Sequence, residues 1–130
     1  MTDERPFGDA TTAPFWAGAE RRELLIQRCE ACGAHQFYPR PFCLACDAPD
    51  PSWKTAAGRG TVYARTTVYI PVDPALELPY VVGLIELEEG PRLVAALHGD
   101  PAIGEPVRLG WREREGAPPL PVFSREEAAD

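Results

Sequence analysis

The residues best placed to do chemistry in this 130-residue chain are its four cysteines, Cys29, Cys32, Cys43 and Cys46. They form two C-x2-C pairs separated by ten residues, all within an 18-residue stretch. Each pair can present two sulfurs from one tight turn, so two facing turns can bring four thiolates onto one tetrahedral ion. Gly33 follows the first pair, where such a turn needs positive φ. Two disulfides would be the alternative in an oxidising compartment, but the N-terminus Met1-Thr2-Asp3-Glu4-Arg5-Pro6 has no apolar core behind it to serve as a secretory signal. A redox dithiol would need one pair, and no thioredoxin-like βαβ pattern surrounds either. The set therefore suits a structural zinc with a closed shell, and a single iron, which fits the same geometry, ranks second. His35 is expected to be an exposed turn residue, because four sulfurs already complete the shell.

Other reactive side chains do not form a catalytic set. Ser52 falls in the link after the cysteines and Ser124 near the C-terminus, neither in a nucleophile elbow. His98 ends an apolar run beside Gly99-Asp100 with no nucleophile or second acid identifiable next to it, so it reads as a turn residue. Glu86, Glu88 and Glu89 flank a Gly-Pro turn and read as a solvated face. No catalytic residue is assigned.

The elements that must position the cysteines are short. The chain holds 15 Pro and 11 Gly, which excludes a fold of long helices. No run approaches the roughly 20 apolar residues of a membrane span, so a soluble, cytoplasmic protein is expected. The net charge is −7. Residues 1–65 carry 8 basic and 8 acidic side chains, and residues 66–130 carry 5 and 12. An acidic second half opposes nucleic-acid binding through phosphate contacts.

Residues 1–10 are polar. A helix is expected from Thr12 through Arg22, with Thr12 as cap and Pro14 in the first turn, carrying Phe15, Trp16 and Ala19 on one side. This helix is read as lying outside the two small cores, so Phe15 and Trp16 are candidate anchors for a partner. Residues 23–28 read as a strand leading into the first cysteine pair, and residues 37–41 as its return. Trp53 opens the link to the next unit. From Gly58 the pattern is β: residues 61–70, 80–87, 92–98, 106–113 and 120–123 make five strands, with a proline-rich loop at 71–79 and a charged tail from Ser124 expected to fray. Gly83, inside the second of these strands, suggests a bulge. The fold class is mainly β: a short N-terminal helix in residues 1–25, a zinc ribbon in 26–52 and a five-stranded OB-type barrel in 53–130.

The ordered motifs carry a resemblance. Phe15-Trp16 is followed by Gln27-Arg28-Cys29-x2-Cys32-Gly33, Pro39-Arg40-Pro41-x-Cys43-x2-Cys46 and Gly58-x-Gly60-Thr61-Val62-Tyr63. Pro79-Tyr80-Val81-Val82, Glu89-Gly90-Pro91-Arg92-Leu93, Ile103-Gly104-Glu105-Pro106-Val107 and Leu120-Pro121-Val122-Phe123 come later. This order, over residues 12–123, resembles the family that joins a rubredoxin-like zinc ribbon to an OB-fold and is associated with acyl-CoA metabolism. Asp47, where rubredoxins proper usually have glycine, departs from an electron carrier. The resemblance implies a non-catalytic accessory subunit whose partner is a thiolase-like enzyme, either an aldolase cleaving acyl-CoA side chains (as in steroid or lipid degradation) or an acyltransferase. A hot-dog-fold acyl-CoA hydratase is a further implied partner. It also implies acyl-CoA binding near the helix and ribbon, for which Arg21, Arg22, Arg28 and Arg40 are the phosphate-binding candidates. A nucleic-acid-binding ribbon and barrel, or a one-iron electron carrier, are the alternatives.

Overall fold

A computed structural model describes residues 10–70 and 79–125. The expected loop at 71–78 and the tail beyond Arg125 lie outside the described residues.

The chain opens on α1 (Ala13–Glu20). Pro14 sits in its first turn, where an amide is not needed. The helix is shorter than the sequence suggests. Thr12 is itself close to helical, with φ −96° and ψ −8°, and its side chain makes no capping bond. At the other end Arg22 takes φ 59° and turns the chain, while the Glu23 amide donates to the Gly18 carbonyl at 2.9 Å. Gly18 is the contact point with the next strand: a Cβ there would lie 2.6 Å from Cγ of Leu25.

Three antiparallel strands follow in the order β2-β1-β3: β1 (Leu25–Arg28), β2 (His35–Gln36) and β3 (Ser52–Thr55). The return strand thus comes earlier than residues 37–41. Pro39 and Pro41 have no amide to donate to a ladder, so that segment is held by side chains instead. His35 is half-buried and pairs with Arg28 in the strand, not in a turn. Strand β3, read from sequence as a link, completes the ribbon sheet. It also seats Trp53 against the core.

The barrel is closed by β4 (Arg59–Val68), β5 (Tyr80–Leu87), β6 (Arg92–His98), β7 (Pro106–Arg112) and β8 (Leu120–Arg125) in the order β4-β5-β6-β8-β7. Strands β6 and β8 run parallel, with Ala96 opposite Val122. β8 runs further than expected, since Ser124 and Arg125 pair with Arg108 and Val107. The register shifts between Val62 and Ala64, so the bulge is on β4 and not at Gly83. Gly83 instead allows close packing, because its Cβ would lie 2.6 Å from Cδ1 of Leu97.

One hydrophobic cluster joins all three parts. Phe15, Leu24, Ile26 and Ala56 belong to the same core as Val62, Ile85, Leu93, Val107 and Phe123 of the barrel. Phe15 is 7% exposed, so it is a core residue and not an exposed anchor. Its helix is too short to stand alone and is held by this burial. The junction is further tied by backbone. Ala56 donates to the Leu24 carbonyl and Leu109 to the Gly58 carbonyl, both at 2.8 Å, and the Ala57 amide donates to the Glu89 carboxylate at 2.7 Å. Glu89 is therefore a joint residue, not part of a solvated face. No helix among the described residues is long and apolar enough to cross a membrane.

Where β4 passes β5, Gly60 has no room for a side chain: a Cβ would stand 2.6 Å from the Glu86 carbonyl oxygen and 2.8 Å from Cγ2 of Ile85. A backbone neighbour cannot swing aside. Gly60→Ala is expected to lower stability by about 1–3 kcal/mol, read as a fall in the denaturant midpoint; an unchanged midpoint would show that β4 and β5 can separate there.

Candidate metal centre

The two cysteine turns fold by the same local rule. Cys29 donates its amide to the Ala34 carbonyl at 2.9 Å, and Gly33 donates back to the Cys29 carbonyl at 2.8 Å. In the second turn Cys43 donates to Ala48 and Asp47 to Cys43, both at 2.8 Å. The residue that closes each turn has positive φ, 78° at Gly33 and 64° at Asp47. Aspartate is one of the few non-glycine residues that tolerate this conformation, so Asp47 does in the second turn what Gly33 does in the first.

The turns face each other and bring the sulfurs of Cys29, Cys32, Cys43 and Cys46 within 4.8 Å of one another. Cys29 and Cys46 are 3.5 Å apart, and Cys32 and Cys43 are 3.7 Å apart. A zinc tetrahedron with bonds of about 2.3 Å sets its sulfurs about 3.8 Å apart, so the donor set fits that ion closely. Amides of Cys32 and Ala45 point at the sulfurs of Cys29 and Cys43 at 3.4 and 3.3 Å. Cys29 and Cys43 are buried, while Cys32 and Cys46 form the exposed edge.

The electrostatics also call for a cation. The Cys32 amide, together with neighbouring sulfurs, lowers the Cys29 thiol to about 6. At Cys46 the Ala48 amide works in the same direction, but the other three sulfurs and burial outweigh it and raise the thiol to about 12. Four thiolates this close repel one another. A divalent ion reverses that balance and lets all four bind as thiolates. The four cysteines fit a structural zinc. With four protein ligands no coordination position is left for water, so the ion's contribution is to cross-link the ribbon.

A glutamine pair locks the approach to the second turn. Gln27, 3% exposed, donates to the Arg40 carbonyl at 2.7 Å and accepts from the Arg40 amide at 2.8 Å. Gln36, its partner in the strand register, donates to Gln27 at 2.7 Å and to the Phe42 carbonyl at 3.0 Å, and accepts from the Leu44 amide at 2.9 Å. These two side chains supply the bonds that Pro39 and Pro41 cannot. Sequence reasoning missed them, although a glutamine following the apolar Leu24-Leu25-Ile26 run just before the first cysteine pair was an available signal.

The four candidate arginines do not converge on one point. Arg21 is paired with Glu23 at 3.2 Å, Arg22 with Glu113, and Arg28 with Glu30 at 3.4 Å. Arg40 is exposed between its two prolines, and its guanidinium has no ion-pair partner among the described residues. Trp16 is half-buried, with Arg114 over its ring at 5.8 Å. Ser52 donates to the Arg28 carbonyl at 3.0 Å and is spent on the ribbon. Ser124 stands opposite His98 in the β6–β8 register. Their side chains are not hydrogen-bonded, and Asp100 is engaged by Arg65.

Comparison with known proteins gives a consistent picture. The description "ChsH2, rubredoxin-like zinc ribbon domain" matches residues 16–52, and "ChsH2, C-terminal OB-fold domain" matches residues 53–112. A probable enoyl-CoA hydratase alpha subunit of Thermomonospora curvata is 42% identical over 92% of this chain and 39% of its own length. A DUF35 domain-containing scaffold protein of Methanocaldococcus jannaschii is 34% identical over 68% of this chain and 65% of its own. This chain therefore spans less than two thirds of either relative. A solved structure described as the Ltp2-ChsH2(DUF35) aldolase matches with TM-score 0.84 and 42% identity, covering 93% of this chain and 98% of that one.

Elemental analysis of the purified protein is expected to find one zinc per chain. Cys29→Ser should release it and unfold the ribbon, since structural zinc contributes on the order of 10 kcal/mol to units of this size. A metal-poor protein with an intact ribbon by circular dichroism would contradict the assignment.

Proposed function

Because this chain belongs to the ChsH2-type DUF35 family, which joins a rubredoxin-like zinc ribbon to an OB-fold, we propose that it is the non-catalytic accessory subunit of a thiolase-type acyl-CoA enzyme. The observation that carries this reading is the 42% identity to a chain of an aldolase complex, 98% of which this chain covers. The partner would hold the reacting groups. This chain would complete the assembly and help to seat the acyl-CoA, in a retro-aldolase or acyltransferase reaction. The scaffold name of one relative supports the same division of labour.

The chemistry of the chain agrees. A zinc held by its four cysteines would be fully coordinated by protein and could not activate water. A rigid ribbon sharing one core with a barrel offers a partner a surface that needs no ordering on binding. The hydratase name of the other relative supports a second association, with an acyl-CoA hydratase of the hot-dog fold. Thiolate ligands need a reducing compartment, which favours the cytoplasm.

Two outcomes test this. Co-expressed with the thiolase-type subunit of the same organism, the chain should co-elute with it in size-exclusion chromatography. The complex should then turn over acyl-CoA substrates while the isolated chain does not. Turnover by the isolated chain, or separate elution, would refute the reading.

For the ligand, we assign the acyl-CoA phosphates to the arginines of the helix end and ribbon, with Arg40 foremost because its guanidinium has no ion pair among the described residues. Arg21→Ala, Arg22→Ala and Arg40→Ala together should weaken acyl-CoA binding to the assembled complex, with each lost charge-assisted bond worth about 1.5–3 kcal/mol. Unchanged affinity by calorimetry would remove this assignment.

A further inference from the structure

The outer face of the barrel is not uniform. On β4 the exposed positions include Arg59, Thr61, Tyr63 and Thr66, the mixed pattern of a strand that faces water. Across β5, β6, β8 and β7 the outward row is Val82, Ala96, Val122 and Gly110, each opposite the next in the strand register. The adjoining row places Leu84 opposite Val94 and Leu120 opposite Arg112. Val94 is 68% exposed. The alternation between apolar inside and polar outside therefore fails on one side of one barrel. There the surface forms a groove of about 860 Å³.

The charge on this face is also unlike the rest. The chain carries 20 acidic residues, yet among the described residues Asp100 alone of them lines the groove, and Arg65 engages it. Arg112 stands at one end and His98 at the other. Arg112 has no ion pair among the described residues. Four residues of strand separate the two ends, about 13 Å. An apolar floor edged by an uncommitted cation, on a protein of net charge −7, complements a surface that is apolar along its length and acidic at its end.

We propose that the outer face of β5–β6–β8–β7 is the docking surface for the thiolase-type subunit, which lays an apolar ridge along the Val82–Ala96–Val122–Gly110 row and sets a carboxylate against Arg112. This rests on the accessory-subunit reading and names the surface that performs it. OB-folds commonly bind ligands on the face of their second and third strands, here β5 and β6. Oligonucleotide-binding versions line that face with basic and stacking aromatic side chains, whereas this row carries small aliphatic ones.

The test uses the full-length chain co-expressed with the thiolase-type subunit of the same organism. Ala96→Arg with Val122→Glu should leave zinc content and circular dichroism unchanged and weaken assembly at least 100-fold. Arg112→Glu should weaken it about tenfold, mostly through slower association at low salt. Thr66→Glu, on the polar side of the barrel, should stay within twofold of the unmodified chain. A photocrosslinking residue introduced at the exposed position Val94 should capture the thiolase-type subunit, which keeps the test valid if the double variant does not fold. Separate elution of the unmodified chain would overturn the accessory-subunit reading and this one with it. Equal assembly of the folded double variant, or no crosslink from position 94 in a formed complex, would overturn this one alone. So would a dimer of the free chain, or binding of a 16-nucleotide single strand, that Ala96→Arg with Val122→Glu abolishes.

Discussion

Four sulfurs gathered within 4.8 Å cannot all ionise without a cation among them. The ribbon has little else to hold it. Its strands are two to four residues long, and Pro39 and Pro41 deny the second cysteine turn a place in the ladder. Gln27 and Gln36 form a good network only if the two turns face each other. The metal's cross-link is the condition for that facing, and the network then makes the tip rigid. Without the ion, the same stretch would be too small to bury a core of its own.

From that fixed point the structure extends inward. Phe15, Leu24 and Ile26 enter the same cluster as Val62, Ile85 and Phe123, so helix, ribbon and barrel share buried surface. The Ala57 amide, held by Glu89, adds a polar tie where the chain passes from one to the other. This arrangement suits an accessory chain. Apolar residues of helix, ribbon and barrel are drawn into a common core, and Val94 on the barrel's outer face is one of the large apolar side chains left exposed.

Much was legible in advance. The cysteine spacing announced the metal, and β-branched runs punctuated by Pro and Gly announced five strands. The ordered motifs announced the family. The misreadings share a cause. Phe15 looked like a spare aromatic because a helix of eight residues has no core of its own, and which distant surface covers it is not a local property. Strand β3 was read as a link because four residues around Trp53 have little pattern, and they become a strand only by pairing with β1. Gly83 suggested a bulge, but a glycine in a strand serves equally well to admit a neighbour, and Leu97 is that neighbour.

The sequence by itself therefore determined what depends on near neighbours: the two cysteine turns, with positive φ expected at Gly33, the strand-forming runs of the barrel and the membership of a family. Only the tertiary structure decided what depends on residues far apart in the chain. It placed Gln27 opposite Gln36 and against the Arg40 backbone, Ser124 opposite His98 in register, and Val82, Ala96, Val122 and Gly110 in one row across four strands. Such juxtapositions follow from strand order and register, and a parallel pairing such as β6 with β8 leaves no periodic trace in the sequence, because alternation records which side of a strand is buried and not which strand lies next to it.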